Sequence, residues 1–157
     1  MALKPDREYN EVIDITNFWV AAQTSAEKGG VASQTGSSTG VGIDDTSITV
    51  AYLASPSTAS IAKGILLNTV AAAMSTTRDF INYENGEIRP GTKCALVKKG
   101  FVVTDMIITT DTPTAGQAAY LAASGLIGSG TTTGPQVGRF ETAKDAAGFA
   151  RISIDIT

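Results

Sequence analysis

From Cys94 to Gly130 the chain never holds an apolar run for more than a few residues before a turn signal interrupts it. Ala95-Leu96-Val97 is followed by Lys98-Lys99-Gly100, and Phe101-Val102-Val103 by an apolar segment through Met106-Ile107-Ile108. Asp111-Thr-Pro113-Thr-Ala-Gly116 combines a fixed φ with a permissive one, the chemistry of a turn. Ser124-Gly125 then separates Ala119-Tyr120-Leu121 from Leu126-Ile127 at hairpin spacing. An amphipathic helix needs apolar residues three and four apart over at least ~11 positions, and these runs are too short for that. The stretch predicts strand, turn, strand, turn, with Lys98–Gly100 as one of the breaks. The expected fold class is all-β, a compact antiparallel barrel or sandwich.

The flanking segments agree. Ala150-Arg-Ile152-Ser-Ile154-Asp-Ile156 alternates strictly, with the isoleucines on one face and Arg151, Ser153 and Asp155 on the other. Ile48, Val50 and Tyr52 share a face in the same way, and Val137–Phe140 starts another strand, returned by Lys144–Gly148. Val12–Val20 predicts a first strand carrying Phe18 and Trp19, both expected in the core. A strand is expected over 64–71, with a turn of helix near it, and another over Asp79–Tyr83. Asn85-Gly86 and Arg89-Pro90-Gly91 mark turns. Gln23–Gly42, rich in Gly, Ser and Thr, predicts a long surface loop. Residues 1–11 are charged, contain Pro5 and lack periodicity. They are expected to form an arm ordered only against a partner, which leaves 12–157 as one β domain.

The same residues weigh against several kinds of chemistry. The 157-residue chain has no histidine and one cysteine, so the commonest general base and a cysteine–histidine nucleophile pair are both missing. Cys94 predicts a small buried hydrophobe, unable to build a zinc cluster or an internal disulfide. Gly125-x-x-Gly128-x-Gly130 reverses the dinucleotide-binding spacing and reads as hairpin glycine, and Asp44-Asp45 is too sparse for a calcium loop. A net charge of −3 does not suggest nucleic acid. No apolar run approaches the ~18 residues of a membrane span, and the charged N-terminus does not resemble a signal peptide, so synthesis in the cytoplasm is expected. No enzyme activity and no cofactor are expected. From Thr112 to Gly138 no charged side chain occurs, a depletion that suits the centre of a protein–protein interface.

The order of motifs from about Ile61 onward resembles the head decoration, or cement, proteins of tailed bacteriophages. The resemblance rests on G-I-L-L-N-T-V at 64–70, R-D-F-I-N-Y-E-N-G-E at 78–87 and P-G-T-K-C-A-L-V-K-K-G-F-V-V-T-D-M-I at 90–107. P-T-A-G-Q-A-A-Y-L at 113–121, S-G-L-I at 124–127, V-G-R-F at 137–140 and the closing K-D-x-x-G-x-A-R-I-S-I-D-I continue it. It implies a jelly-roll-like β domain, without catalytic activity, on the outside of an icosahedral head. The implied partners are the major capsid protein and further copies of the chain, as a homodimer or homotrimer on a symmetry axis. Candidate contacts are Lys4, Pro5, Arg7 and Tyr9 in the arm, Gln34 and Thr35 in the 29–42 segment, and Thr131, Thr132 and Thr133 in the 129–136 loop. A tail-tube or head–tail connector barrel is the alternative, and a carbohydrate-binding sandwich ranks last because exposed aromatics are few.

Overall fold

The computed structural model describes residues 11–37, 48–72, 86–130 and 134–157. They form strands with a single turn of 3₁₀ helix at Ala123–Gly125. The longest strand, β8 (Leu96–Thr104), organises the rest. β12 (Ala150–Asp155) runs antiparallel along it, from Ala150 opposite Thr104 to Asp155 opposite Lys99. β1 (Val12–Asp14) pairs with it at Leu96–Lys99, and β5 (Ala62–Leu66) at Leu96 and Val97. Beyond β12 lie β11 (Gln136–Phe140), β9 (Ala118–Leu121) and β10 (Ile127–Gly128). Beyond β5 lie β3 (Val31–Ser37), β4 (Ile48–Ala51) and β2 (Phe18–Trp19). β6 (Thr69–Val70) and β7 (Glu87–Ile88) form a separate parallel pair.

The all-β class is therefore correct, while two finer expectations are not. The path from β10 to β2 stays open, so the sheet does not close into a barrel. Nor is it purely antiparallel, because β2 and β4 run parallel.

The alternating last strand behaves as its pattern requires. Ala150, Ile152, Ile154 and Ile156 are buried, with Arg151 and Asp155 exposed between them. They pack with Val31, Leu121, Ile127, Val137 and Phe140 in one core cluster. A second cluster gathers Trp19, Val50, Tyr52, Leu66, Cys94 and Leu96. There the Trp19 and Tyr52 rings meet edge-on with centroids 5.2 Å apart, and the Trp19 indole donates to the Gln23 carbonyl at 3.0 Å. Phe18 is only half-buried, with the Lys93 ammonium 5.6 Å from its ring centroid. The β9–β10 hairpin is also as expected, its turn made by Ser124 at φ 57° and Gly125 at φ 75°. A Cβ at Gly125 would come 2.6 Å from Tyr52 Cγ, so this turn needs glycine for space as well as for φ.

Several boundaries differ from the expectation, each for a local reason. Gln23–Gly42 is not a loop throughout, since β3 lies between β4 and β5 with Val31, Ala32 and Ser33 buried. Small side chains there suit a crowded interior strand, and they mimic loop composition. Lys98–Gly100 does not break β8. Lys99 points outward, half-buried Lys98 can carry its charge to water on an apolar stem, and Gly100 at φ 142° keeps the strand continuous. That strand stops before Met106, whose N–H is taken by Thr104 Oγ1 at 3.0 Å, and Ile107 instead bridges to Ile127. The expected strand at 64–71 divides into β5 and β6 around Asn68, whose Oδ1 accepts the Ala95 N–H at 3.2 Å. Val12–Val20 divides too, because Asp14 Oδ1 accepts both the N–H and the hydroxyl of Thr16 and turns the chain. The strand expected at Asp79–Tyr83 lies outside the described residues.

Candidate interface

On the outward face of β8, Lys99, Phe101 and Val103 stand opposite Asp155, Ser153 and Arg151 of β12. A strand with its apolar residues only on the core side would leave polar groups here. Instead Phe101 is 52% exposed and Val103 66%. The Arg151 guanidinium lies 4.5 Å from the Phe101 ring centroid, a pairing favoured by the ring quadrupole. β1 extends the apolar surface. Val12 is in register with Lys99 and is exposed, as are Ile13 and Ile15, the latter 65%.

Two depressions border this strip. One, of about 310 Å³, is lined by Leu66, Leu67, Val103, Thr104 and Phe149, with Glu27 and Lys28 at its side. The other, about 460 Å³ and polar, lies over β11 and β12 between Gln136, Arg139, Glu141, Ser153 and Asp155. Exposed apolar groups beside mixed charge follow the pattern of an interface centre and its rim.

The candidates named from sequence fare differently. Gln34 and Thr35 are in β3, not in a loop. Gln34 is half-buried and its N–H donates to the Ile61 carbonyl at 2.9 Å. Thr35 is exposed, with its Oγ1 3.3 Å from the hydroxyl of Thr49 on β4. Lys4, Pro5, Arg7, Tyr9, Thr131, Thr132 and Thr133 lie outside the described residues. The base of the 129–136 loop is well anchored. Asp111 Oδ2 accepts the Ser129 N–H, and the Lys144 ammonium donates to the carbonyls of Ile108, Thr109 and Asp111 at 3.0–3.2 Å.

Sequence reasoning missed Phe101, Val103 and Arg151. Lys-Gly-Phe-Val-Val-Thr is apolar on both faces, so alternation could not say which side met solvent. Arg151 joins Phe101 only through the β8–β12 register.

Little in this region is reactive. Cys94 is 2% exposed, its thiol lies 3.5 Å from the Asn17 carbonyl, and burial pushes its pKa up to about 11, far from a thiolate nucleophile. Among the described residues no three acidic or cysteine side chains gather as metal ligands, and no helix is long and apolar enough to cross a membrane. Neither a known protein family nor a curated protein matches the chain.

Proposed function

We propose that this chain is a structural protein of a tailed-phage virion that binds the outer surface of the icosahedral head and staples neighbouring major capsid protein subunits. The observation that carries the reading is the exposure of Phe101 and Val103 on the outward face of β8, with Val12, Ile13 and Ile15 also exposed on and just after the neighbouring β1. Left in water such a strip favours association, and Phe101 under Arg151 is the kind of aromatic–arginine pair that anchors interfaces. The charge-free run from Thr112 to Gly138 supports a second contact region. A jelly-roll-like sandwich belongs to the same proposal.

A domain of this size would bury only a standard patch, ~800 Å² per partner, against one neighbour. Stapling needs at least two neighbours, which favours a homodimer or homotrimer straddling a symmetry axis. Each further contact is then made at high effective concentration.

The test is depletion and add-back. Heads assembled without the protein should form but burst at lower temperature, and purified protein should restore their resistance. Equal heat resistance of depleted and complete heads would reject the proposal. So would recovery of the protein in few copies from the tail.

A further inference from the structure

The outward face of β8 and β12 carries its charges in an ordered way. Along β12, Arg151, Ser153 and Asp155 run positive, neutral, negative, and both charged residues are exposed. Val103, Phe101 and Lys99 of β8 stand beside them, in the register Arg151–Val103, Ser153–Phe101 and Asp155–Lys99. The two charges on β12 are equally spaced about the Ser153–Phe101 row. A twofold axis lying along that row, across the strands, would therefore set positive against negative on facing surfaces.

We propose that this face packs on the same face of a second copy of the chain, about that axis. β12 then lies over β12 of the other copy in the opposite direction, at the ~10 Å spacing of stacked sheets. Arg151 of each copy meets Asp155 of the other, so two ion pairs flank the centre. At the centre Phe101 meets Phe101, and Lys99 lays its apolar stem across Val103. The Phe101 ring, 4.5 Å from the Arg151 guanidinium, holds that group in place and lowers the entropy lost when a carboxylate arrives. A foreign surface would have to match both the apolar centre and the sequence of charges, whereas a second copy matches them by symmetry. The patch is small for a stable interface, so the dimer should be weak. The contact itself does not depend on the head-binding reading. Where that reading holds, it narrows the oligomer to a twofold dimer and leaves the charge-free run from Thr112 to Gly138 to meet the head. Phe101 then serves head binding through avidity.

Charge reversal in the free, full chain tests it. Sedimentation of the unmodified protein should show a monomer–dimer equilibrium within about 1–300 µM. Arg151→Asp and Asp155→Arg should each weaken self-association at least roughly tenfold, because like charges then face each other at both pairs. Mixed in equal amounts, the two variants should dimerise again, since each contact now joins an acid to a base. Damage to the fold alone could not produce that recovery. An unmodified chain that stays monomeric throughout, single variants that dimerise like the parent, or a mixture that stays monomeric would overturn the proposal. Should a chain that is always monomeric lose head binding through these same substitutions, the capsid and not a second copy covers the face. Dimerisation with recovery in a protein that never binds heads would reject the head reading and leave this contact standing.

Discussion

Ile154 and Ser153 are adjacent on β12, yet they face opposite environments. Ile154 is 1% exposed among Phe140, Val137 and Ile152, while Ser153 is only half-buried, on the outward face opposite Phe101. Ile154→Ala should cost ~2–5 kcal/mol, through lost burial and the cavity left behind. Ser153→Ala should cost under ~0.5 kcal/mol. Urea unfolding of the two variants measures the contrast, and similar losses would mean that the core is misassigned. Two other residues tie stability to pH. Cys94 has its pKa raised to about 11, and burial also raises that of Tyr52, whose hydroxyl donates to the Glu27 carbonyl at 2.6 Å and accepts the Gly30 N–H at 3.1 Å. For groups that lose a proton to become charged, a raised folded-state pKa makes the unfolded chain ionise first. Their contribution is intact below the unfolded values and declines as pH rises through them. Stability should therefore fall from about pH 9 upward, first through Cys94 and then, above about pH 10, through Tyr52. In Cys94→Ala the decline between about pH 9 and 11 should be shallower, as urea midpoints across that range would reveal.

At the scale of elements, β8 depends on one unusual backbone position. Gly100 sits at φ 142° in mid-strand, a conformation that side chains resist. Gly100→Ala should cost at least about 1 kcal/mol in thermal or urea unfolding, against near-neutrality for an alanine at exposed Lys99. The contrast also explains what could be read in advance. β12, β11 and the β9–β10 hairpin were legible because alternation or turn residues define them locally. β3 was hidden, since Val31-Ala-Ser-Gln-Thr becomes a central strand only through its neighbours β4 and β5. The glycine in Lys98-Lys99-Gly100 likewise reads as a stop, although tertiary pairing carries the strand through. The apolar strip depends on which face of Phe101-Val102-Val103 the core takes, a choice made by long-range packing. Buried Trp19 and Cys94 were legible for the opposite reason, because residue type alone favours the interior.

For the whole molecule, the proposed head contact would draw mainly on apolar area, with few charges at its centre. Binding should then survive ~1 M salt, where the Debye length is ~3 Å, and sedimentation of decorated heads would measure retention. Phe101→Ser should weaken head binding while hardly changing the unfolding midpoint of the free domain, since Phe101 is already half in water. If salt strips the protein off, or Phe101→Ser binds as well as the parent chain, the contact lies elsewhere. The topology also sets a timetable for biosynthesis. β8 receives its longest partner only when residues 150–155 have been made, about fifty positions after Thr104. At roughly 5–20 residues per second, ribosomes would leave Phe101–Thr104 without that partner for several seconds. A nascent chain of this kind is a natural client for a holding chaperone, and slowing translation downstream of Thr104 would lengthen its exposure.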